Sequence, residues 1–541
     1  MPLNLLTWLL AGSPILVVLA LMLGLNWGGS RAGAAAWVVA VLVAALVFGA
    51  GPQVIAYAQV KSILLTLDVL YIIWAALLLF HVADEAGAVQ VIGERLPGLT
   101  ADRMMQSLLL GWVFVSFLQG MGGFGVPVAV VAPLLVGLGF GPVQAVVIAS
   151  LGHGWAVTFG SLATSYLALM AAANIPGEAI APESALLLGV ASFFSGLIVA
   201  YVGSGWKAML RGIPAVLILS LVMGVVQYLL AIGGLWSLGA TGAALVGLLV
   251  GVLLTRLPLY RDDHGDHAAS AMEAGGEDEH QAEVTRLDGR SLPVALSGYA
   301  VLIALAFAIN LIAPLDELFN SVRLNLSFPE LVTAYGWVTP AGNGRAISLF
   351  GHPGAILLYA SAAAYLIYAR VGYYKPGAPR RIARKVVKGA VGSSLGIVAM
   401  VSMAVIMSHA GMTNLLARGL SESVGQAVYP AVGPFIGALG AFMTGSATNS
   451  NVVFGALQRQ TAELLGLSVT LILSAQAAGG ALGSVLAPAK VIVGCTTVGL
   501  SGKEGMVIGK MLLYGLIPVG VVALLTWLLA TFVPSGVSVI P

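Results

Sequence analysis

The sequence predicts an all-α polytopic membrane protein: about 12 transmembrane helices plus two re-entrant hairpins, arranged as two inverted repeats. Three observations carry that prediction. Hydrophobic residues make up 59% of the 541 and charged residues only 9%, where soluble chains run near about 45–50% and about 25%. Apolar runs of about 20 residues recur along the chain, each long enough to cross the hydrocarbon core. Finally, Phe117-Leu118-Gln119-Gly120 reappears, altered but legible, as Phe442-Met443-Thr444-Gly445.

The echo is longer than one tetrapeptide. Ala86-Gly87-Ala88 through Leu96 matches Ala410-Gly411-Met412 through Leu420, and Ser150 with Gly160-Ser161-Leu162-Ala163 matches Ser474 with Gly483-Ser484-Val485-Leu486-Ala487. Duplication in an apolar chain marks a secondary transporter, whose site forms where two repeats meet. A soluble enzyme is excluded by the shortage of polar surface. Cys495 stands alone, which excludes an internal disulfide and a cysteine metal cluster. A net charge of +2 points to no nucleic-acid partner.

Crossings are predicted near 7–26, 34–56, 62–82, 142–172, 186–206, 213–232, 238–258, 293–314, 352–370, 388–408, 467–500 and 508–532. The first reads as a membrane helix rather than a secretory signal, having no charged n-region and no small-residue cleavage site. Lys207 with Arg211, Arg256 with Arg261, and the Arg370–Lys388 cluster fall on one side by the positive-inside rule. An even number of crossings separates these clusters, so the assignments agree.

Residues 1–258 form an N-terminal membrane half with the first hairpin repeat at about 62–206. Residues 259–292, rich in charge and Gly, read as a disordered cytoplasmic linker. Its histidines fit no metal-site spacing, so no metal and no cofactor is expected. Residues 293–541 form the C-terminal half, with an ordered extracellular excursion at about 315–351 and the second hairpin repeat at about 388–532.

The apolar stretches 104–140 and 430–466 are read as the hairpins. In the first, Met105–Leu118 is broken by Gly120, Gly122, Gly123, Gly125 and Pro127. Each arm is too short to span, and the break is dense in helix-disfavouring residues. The second breaks at Gly445-Ser446-Ala447-Thr448-Asn449-Ser450-Asn451. A single kinked helix is the competing reading. Irregular backbone at membrane depth is tolerated only inside protein or beside a water-filled cavity. If each hairpin returns to the side it left, residues 83–103 lie inside and 409–430 outside, which inverts one repeat relative to the other.

An interrupted helix follows each hairpin. The first runs through Gly152-His153-Gly154-Trp155 and Thr158-Phe159-Gly160-Ser161. The second contains Gln476, Gly479, Gly480, Gly483 and Ser484, read as unwinding rather than close packing. Four interrupted segments then converge near the midplane, where helix N-termini offer an anion site without any buried Arg or Lys.

The run Phe117–Ala129, with Leu134–Phe140, resembles the lactate permease family, as do Thr444–Gln458 and Val498–Glu504. The resemblance extends over nearly the whole chain. It implies a bacterial inner-membrane, multi-pass carrier importing lactate or glycolate with protons, and no enzymatic activity. Two positions depart from the family pattern, in which an acid usually stands where this chain has Gln119 and Ala447. An intramembrane carboxylate is a default proton carrier, so His153 and Asp68 become the coupling candidates, with His81 and His409 weaker ones at crossing ends.

The expected substrate is a small monocarboxylate such as a 2-hydroxy acid. Side chains of Gln119, Thr444, Ser446, Thr448, Asn449, Ser450 and Asn451 are the expected polar contacts, with backbone N–H groups of Gly122, Gly123 and Gly445. His153, Thr158 and Ser161 join from the first interrupted helix, Gln476 and Ser484 from the second. The partners are that anion, membrane lipid and a coupling ion, H⁺ or Na⁺. Three alternatives stand beside this reading: a sodium-coupled carrier of another small organic anion, a channel, and a membrane-embedded enzyme. The last lacks a paired nucleophile and base and leaves the duplication unexplained.

Overall fold

The computed structural model describes residues 3–25, 27, 29–88, 90–91, 100–123, 125–260, 291–343, 347–500 and 504–532, and within its helices the side chains of Asp68 and Thr444 are not among those described. The predicted linker thus falls almost wholly outside the described residues, as does much of the 86–96 repeat. Elsewhere the chain is overwhelmingly helical. Five described helices are long and apolar enough to cross a membrane, or six if one bent pair counts as a span.

The surface inverts that of a soluble protein. Leu46, Leu221 and Leu513 face outward, while Gln119, Asn451, Gln458 and Gln476 are buried. An apolar exterior around a polar interior is what lipid as solvent selects, since unpaired polar groups cost most against hydrocarbon.

Helices Leu5–Gly24, Gly29–Leu46 and Pro52–Glu85 open the fold. The predicted crossing 34–56 ends ten residues early, because Gly49 turns the chain at φ +67° and Pro52 starts a new helix. Pro suits that first-turn position, where its missing N–H is no loss. The 34-residue helix that follows takes in the whole of 62–82.

Helix Arg103–Met121 contains a π-helical stretch at Leu109–Phe114. After a break it is followed by Val126–Gly137, which packs back on it. Arg103 Nη2 donates to Gly139 O at 2.8 Å, so the two ends of the pair meet. Helices Tyr429–Thr444 and Ala447–Leu465 fold back in the same way: Gln458 Nε2 donates to Gly433 O at 3.0 Å and Ser450 Oγ to Gly437 O at 2.8 Å. A single kinked helix is incompatible with either set of contacts.

The first interrupted helix is interrupted as predicted. Pro142–Gly152 and Ser161–Ala173 are bent by 44° around short 3-10 turns. The second differs from its prediction. Val469–Ser484 is unbroken across Gly479 and Gly480, and irregular backbone comes only at 485–487, before helix Pro488–Thr497. Those glycines serve close packing instead. A Cβ at Gly479 would fall on the carbonyl of Pro434, and one at Gly483 on that of Ala438.

Gly177–Ile232 runs 56 residues with one break at Gly205, φ +81°. Its arms fold back so that Gly189 and Gly224 lie side by side. Helices Gly239–Leu254, Leu292–Leu311, Pro353–Arg370, Ala378–His409 and Glu504–Phe532 complete the bundle.

The excursion amends the all-α prediction. After helix Ala313–Phe319, Arg323–Leu324 pairs with Ile347–Ser348, Ser327–Phe328 with Gly342–Asn343, and Leu331–Val332 with Val338–Thr339. Nested antiparallel pairs make one long β-hairpin. It docks through Ala334 N to Gly49 O at 2.8 Å, Tyr71 Oη to Leu349 O at 3.1 Å, and Trp337 against Gly411.

At the other end of helix 52–85, Arg381 Nε bonds Glu85 at 2.6 Å and Lys385 Nζ bonds Asp84 and Glu85, each at 3.1 Å. Burial pulls the Glu85 carboxyl upward, but hydrogen bonds from Arg381 and Lys385 more than offset that and leave it below its ordinary value. Arg211 pairs with Asp102, whose other oxygen caps helix 103–121 by accepting from Met105 N at 3.0 Å.

Candidate functional site

The tips of the two folded-back pairs meet at a cavity of about 50 Å³. Gln119 and Ser161 face it from the N-terminal part of the chain, and Gly445, Ser446, Ala447 and Thr448 from the C-terminal part. Gln119 and Ala447, the two positions at which the sequence was expected to depart from the family pattern, therefore open on one space. Three helices begin at its wall: Thr164–Ala173, Ala447–Leu465 and Pro488–Thr497. Their first-turn N–H groups and positive dipole ends favour a negative charge there.

One wall residue is absent from the sequence reading. Lys490 reaches the cavity from helix 488–497, and its Nζ donates to Ser484 Oγ at 3.1 Å. The expectation of an anion site without Arg or Lys is thus corrected. The signal was present: a lone Lys follows Pro488 in an apolar run, and an ionisable residue in such a run is a functional candidate by default.

Gln119 is 3% exposed. Its Nε2 donates to Ser161 Oγ at 3.4 Å, while Oε1 is buried without a partner among the described residues. Ser161, Leu162 and Ala163 all have positive φ, 46°, 58° and 64°. For residues with a Cβ that conformation costs roughly 1–2 kcal/mol each, and such strain clusters at functional sites. Thr164 Oγ1 donates back to Ser161 O at 2.5 Å and helps to hold the turn.

Behind the cavity lies a buried amide network. Asn451 Nδ2 donates to Ser165 O and Oγ, both at 3.0 Å, and Asn451 Oδ1 accepts from Gln476 Nε2 at 3.3 Å. Gln476 also donates to Ser450 Oγ at 3.1 Å and accepts from Gln458 Nε2 at 3.1 Å. Thr158 Oγ1 ties to Ala477 O at 3.0 Å. Ser450, Asn451, Gln476 and Thr158 thus join the segment 158–165 to helices 447–465 and 469–484 and are not at the cavity wall.

Other expectations are corrected. The Gly122 N–H is spent on Leu118 O at 2.9 Å, and Gly123 packs against Ser161 and Gln119. Asn449 contributes its backbone N–H, which the Ser446 cap accepts at 3.3 Å. His153 is buried and its Nδ1 donates to Ala149 O at 2.7 Å, a local bond at the end of helix 142–152. That leaves it outside the wall. The side chains of Asp68 and Thr444 lie outside those described.

A second, larger cavity of about 490 Å³ opens between helices 52–85, 164–173 and 378–409. Lys61, Glu178 and His409 line it, so His409 faces this space and not the hairpin tips.

Compared with known proteins, residues 7–533 match the family model described as L-lactate permease. The L-lactate permease of Bacillus subtilis strain 168 is 27% identical over 88% of this chain and 87% of its own. The glycolate permease of Escherichia coli K12 is 27% identical over 98% and 97%, and the L-lactate permease of the same strain is 28% identical over 96% and 95%. In shape the chain is loosely similar to the YdaH transporter of Alcanivorax borkumensis, at 15% identity, 86% and 85% coverage and a TM-score of 0.44. The match runs through both folded-back pairs and the helices that follow them, and the chain belongs to the L-lactate permease family.

Proposed function

We propose that this protein imports a small monocarboxylate, lactate, glycolate or a similar 2-hydroxy acid, across the bacterial inner membrane by proton symport and alternating access. The observation that carries the reading is the Lys490 ammonium at a cavity where three helix N-termini begin. The substrate carboxylate takes that charge, and the unpaired Oε1 of Gln119 accepts from its 2-hydroxyl. The cavity is small, about 50 Å³, which favours a small anion. The L-lactate and glycolate permeases among its relatives agree with that size.

Inverted, re-entrant hairpins fit the same geometry. Asp84, Glu85 and Asp102 pair with Arg381, Lys385 and Arg211, which draws the start of the first pair to the basic side. Gly411, ahead of the second pair, packs on Trp337 of the excursion, across helix 353–370 from the basic cluster. Sodium coupling is less well supported, because the oxygens of Ser450 and Asn451 are engaged within the protein.

Lactate counterflow in proteoliposomes tests the site. Lys490→Gln is expected to lower it at least about tenfold, the loss of a charge-assisted bond of about 1.5–3 kcal/mol. Lys490→Arg should recover part of it. Undiminished counterflow in Lys490→Gln would remove this site from substrate binding.

A further inference from the structure

Helix 177–232 carries a carboxylate that the substrate site does not use. Glu183 is 7% exposed. Its Oε1 accepts from Thr470 Oγ1 at 3.0 Å, and its Oε2 is buried with no partner among the described residues. We propose that Glu183 is the proton-carrying group, taking a proton on Oε2 and releasing it once per cycle. The proposal rests on the symport reading above.

The surroundings favour an acid that alternates between charged and neutral. Thr470 and Ser474 face this region from helix 469–484, and Ser474 bonds Ser184 at 3.0 Å. Helix 164–173 brings Tyr166, whose hydroxyl is given to Gly177 O at 2.5 Å. Helices 142–152 and 239–254 carry no ionisable side chain. On helices 103–121 and 504–532, Arg103 bonds Gly139, and Lys510 and Tyr514 line a space beside Gly205, at the far end of this arm. Arg459 is spent on Glu463 and on the carbonyls of Ala173 and Asn174. No described cation reaches Glu183 within ion-pair distance. A carboxylate so placed is costly when charged, and its protonated form gains an O–H donor.

Position supplies entry and coupling. Proton entry is assigned to the larger cavity, which Glu178, five residues earlier on the same helix, lines with Lys61 and His409. Thr470 shares its helix with Gln476, which holds the second hairpin tip through Ser450 and Asn451. Six residues separate the two, about 9 Å along the axis. A change of charge at Glu183 therefore acts on the helix that fixes the tip.

The test uses the whole protein in proteoliposomes, with lactate counterflow and uphill lactate accumulation under an inward proton gradient. Glu183→Gln keeps the shape and the acceptor for Thr470. It is expected to keep counterflow within about twofold and to lose accumulation. Accumulation that survives in Glu183→Gln overturns the proposal. So does loss of counterflow in a variant with an unchanged melting temperature, since Glu183 then serves binding. If the melting temperature falls, Glu183→Asp decides: accumulation should persist, and its loss with counterflow intact overturns the proposal. A wild-type protein that exchanges lactate but ignores the proton gradient removes the proton role and leaves the carrier. One that exchanges no lactate removes the carrier reading itself.

Discussion

At the scale of single residues, neighbouring polar side chains at the second tip do different work. Asn449 and Asn451 are equivalent in the sequence, two amides in one polar run. In the fold only Asn451 reaches across to Ser165 and Gln476. Removing it leaves buried groups unpaired, each costing about 1–3 kcal/mol. Asn451→Ala should therefore lower the detergent melting temperature and abolish counterflow together. Asn449→Ala should leave stability within about 0.5 kcal/mol, and an equal thermal loss in both variants would refute the distinction. Lys490 makes the opposite point: one residue in an apolar run supplies the cavity with its cation.

At the scale of elements, glycine has two meanings here that periodicity does not separate. Near Gly160 it accompanies true unwinding and a left-handed turn. At Gly437, Gly479 and Gly483 it lets helices 429–444 and 469–484 touch backbone to backbone. Small residues at such crossings permit the close approach that holds helices together in lipid. Gly479→Ala would drive a methyl into the Pro434 carbonyl, an overpacking cost of about 1–3 kcal/mol or more. Its melting temperature should drop well below that of Gly520→Ala, whose added Cβ meets no atom within 4 Å. Equal melting temperatures would restore the unwinding interpretation.

At the scale of the molecule, ion pairs and the β-hairpin mark two opposite ends. The Asp84, Glu85, Arg381 and Lys385 cluster closes one end of helices 52–85 and 378–409, and the excursion covers the other. The proposed inverted arrangement makes a direct prediction. A cysteine placed in 83–103 should be labelled from the cytoplasm and one in 410–428 from outside. Cys495, the single native cysteine, is buried, so background labelling should be low. Labelling of both segments from one side would end the inverted-repeat proposal.

Composition and run length were enough, by themselves, to determine a helical membrane protein, the density of Gly and Pro at two breaks marked the folded-back pairs, and the resemblance of Phe117–Ala129 and Thr444–Gln458 pointed to the family. Those properties depend on local chemistry: how apolar a run is, and how densely Gly and Pro break it. The tertiary structure decided which polar residues face a common space. Ser450, Asn451 and Gln476 became a clamp, His153 a helix end, and Lys490 and Glu183 emerged as ionisable groups with hydroxyl partners and no ion pair among the described residues. Spacing along a chain cannot rank these, because burial and pairing are set by helices that arrive from hundreds of residues away.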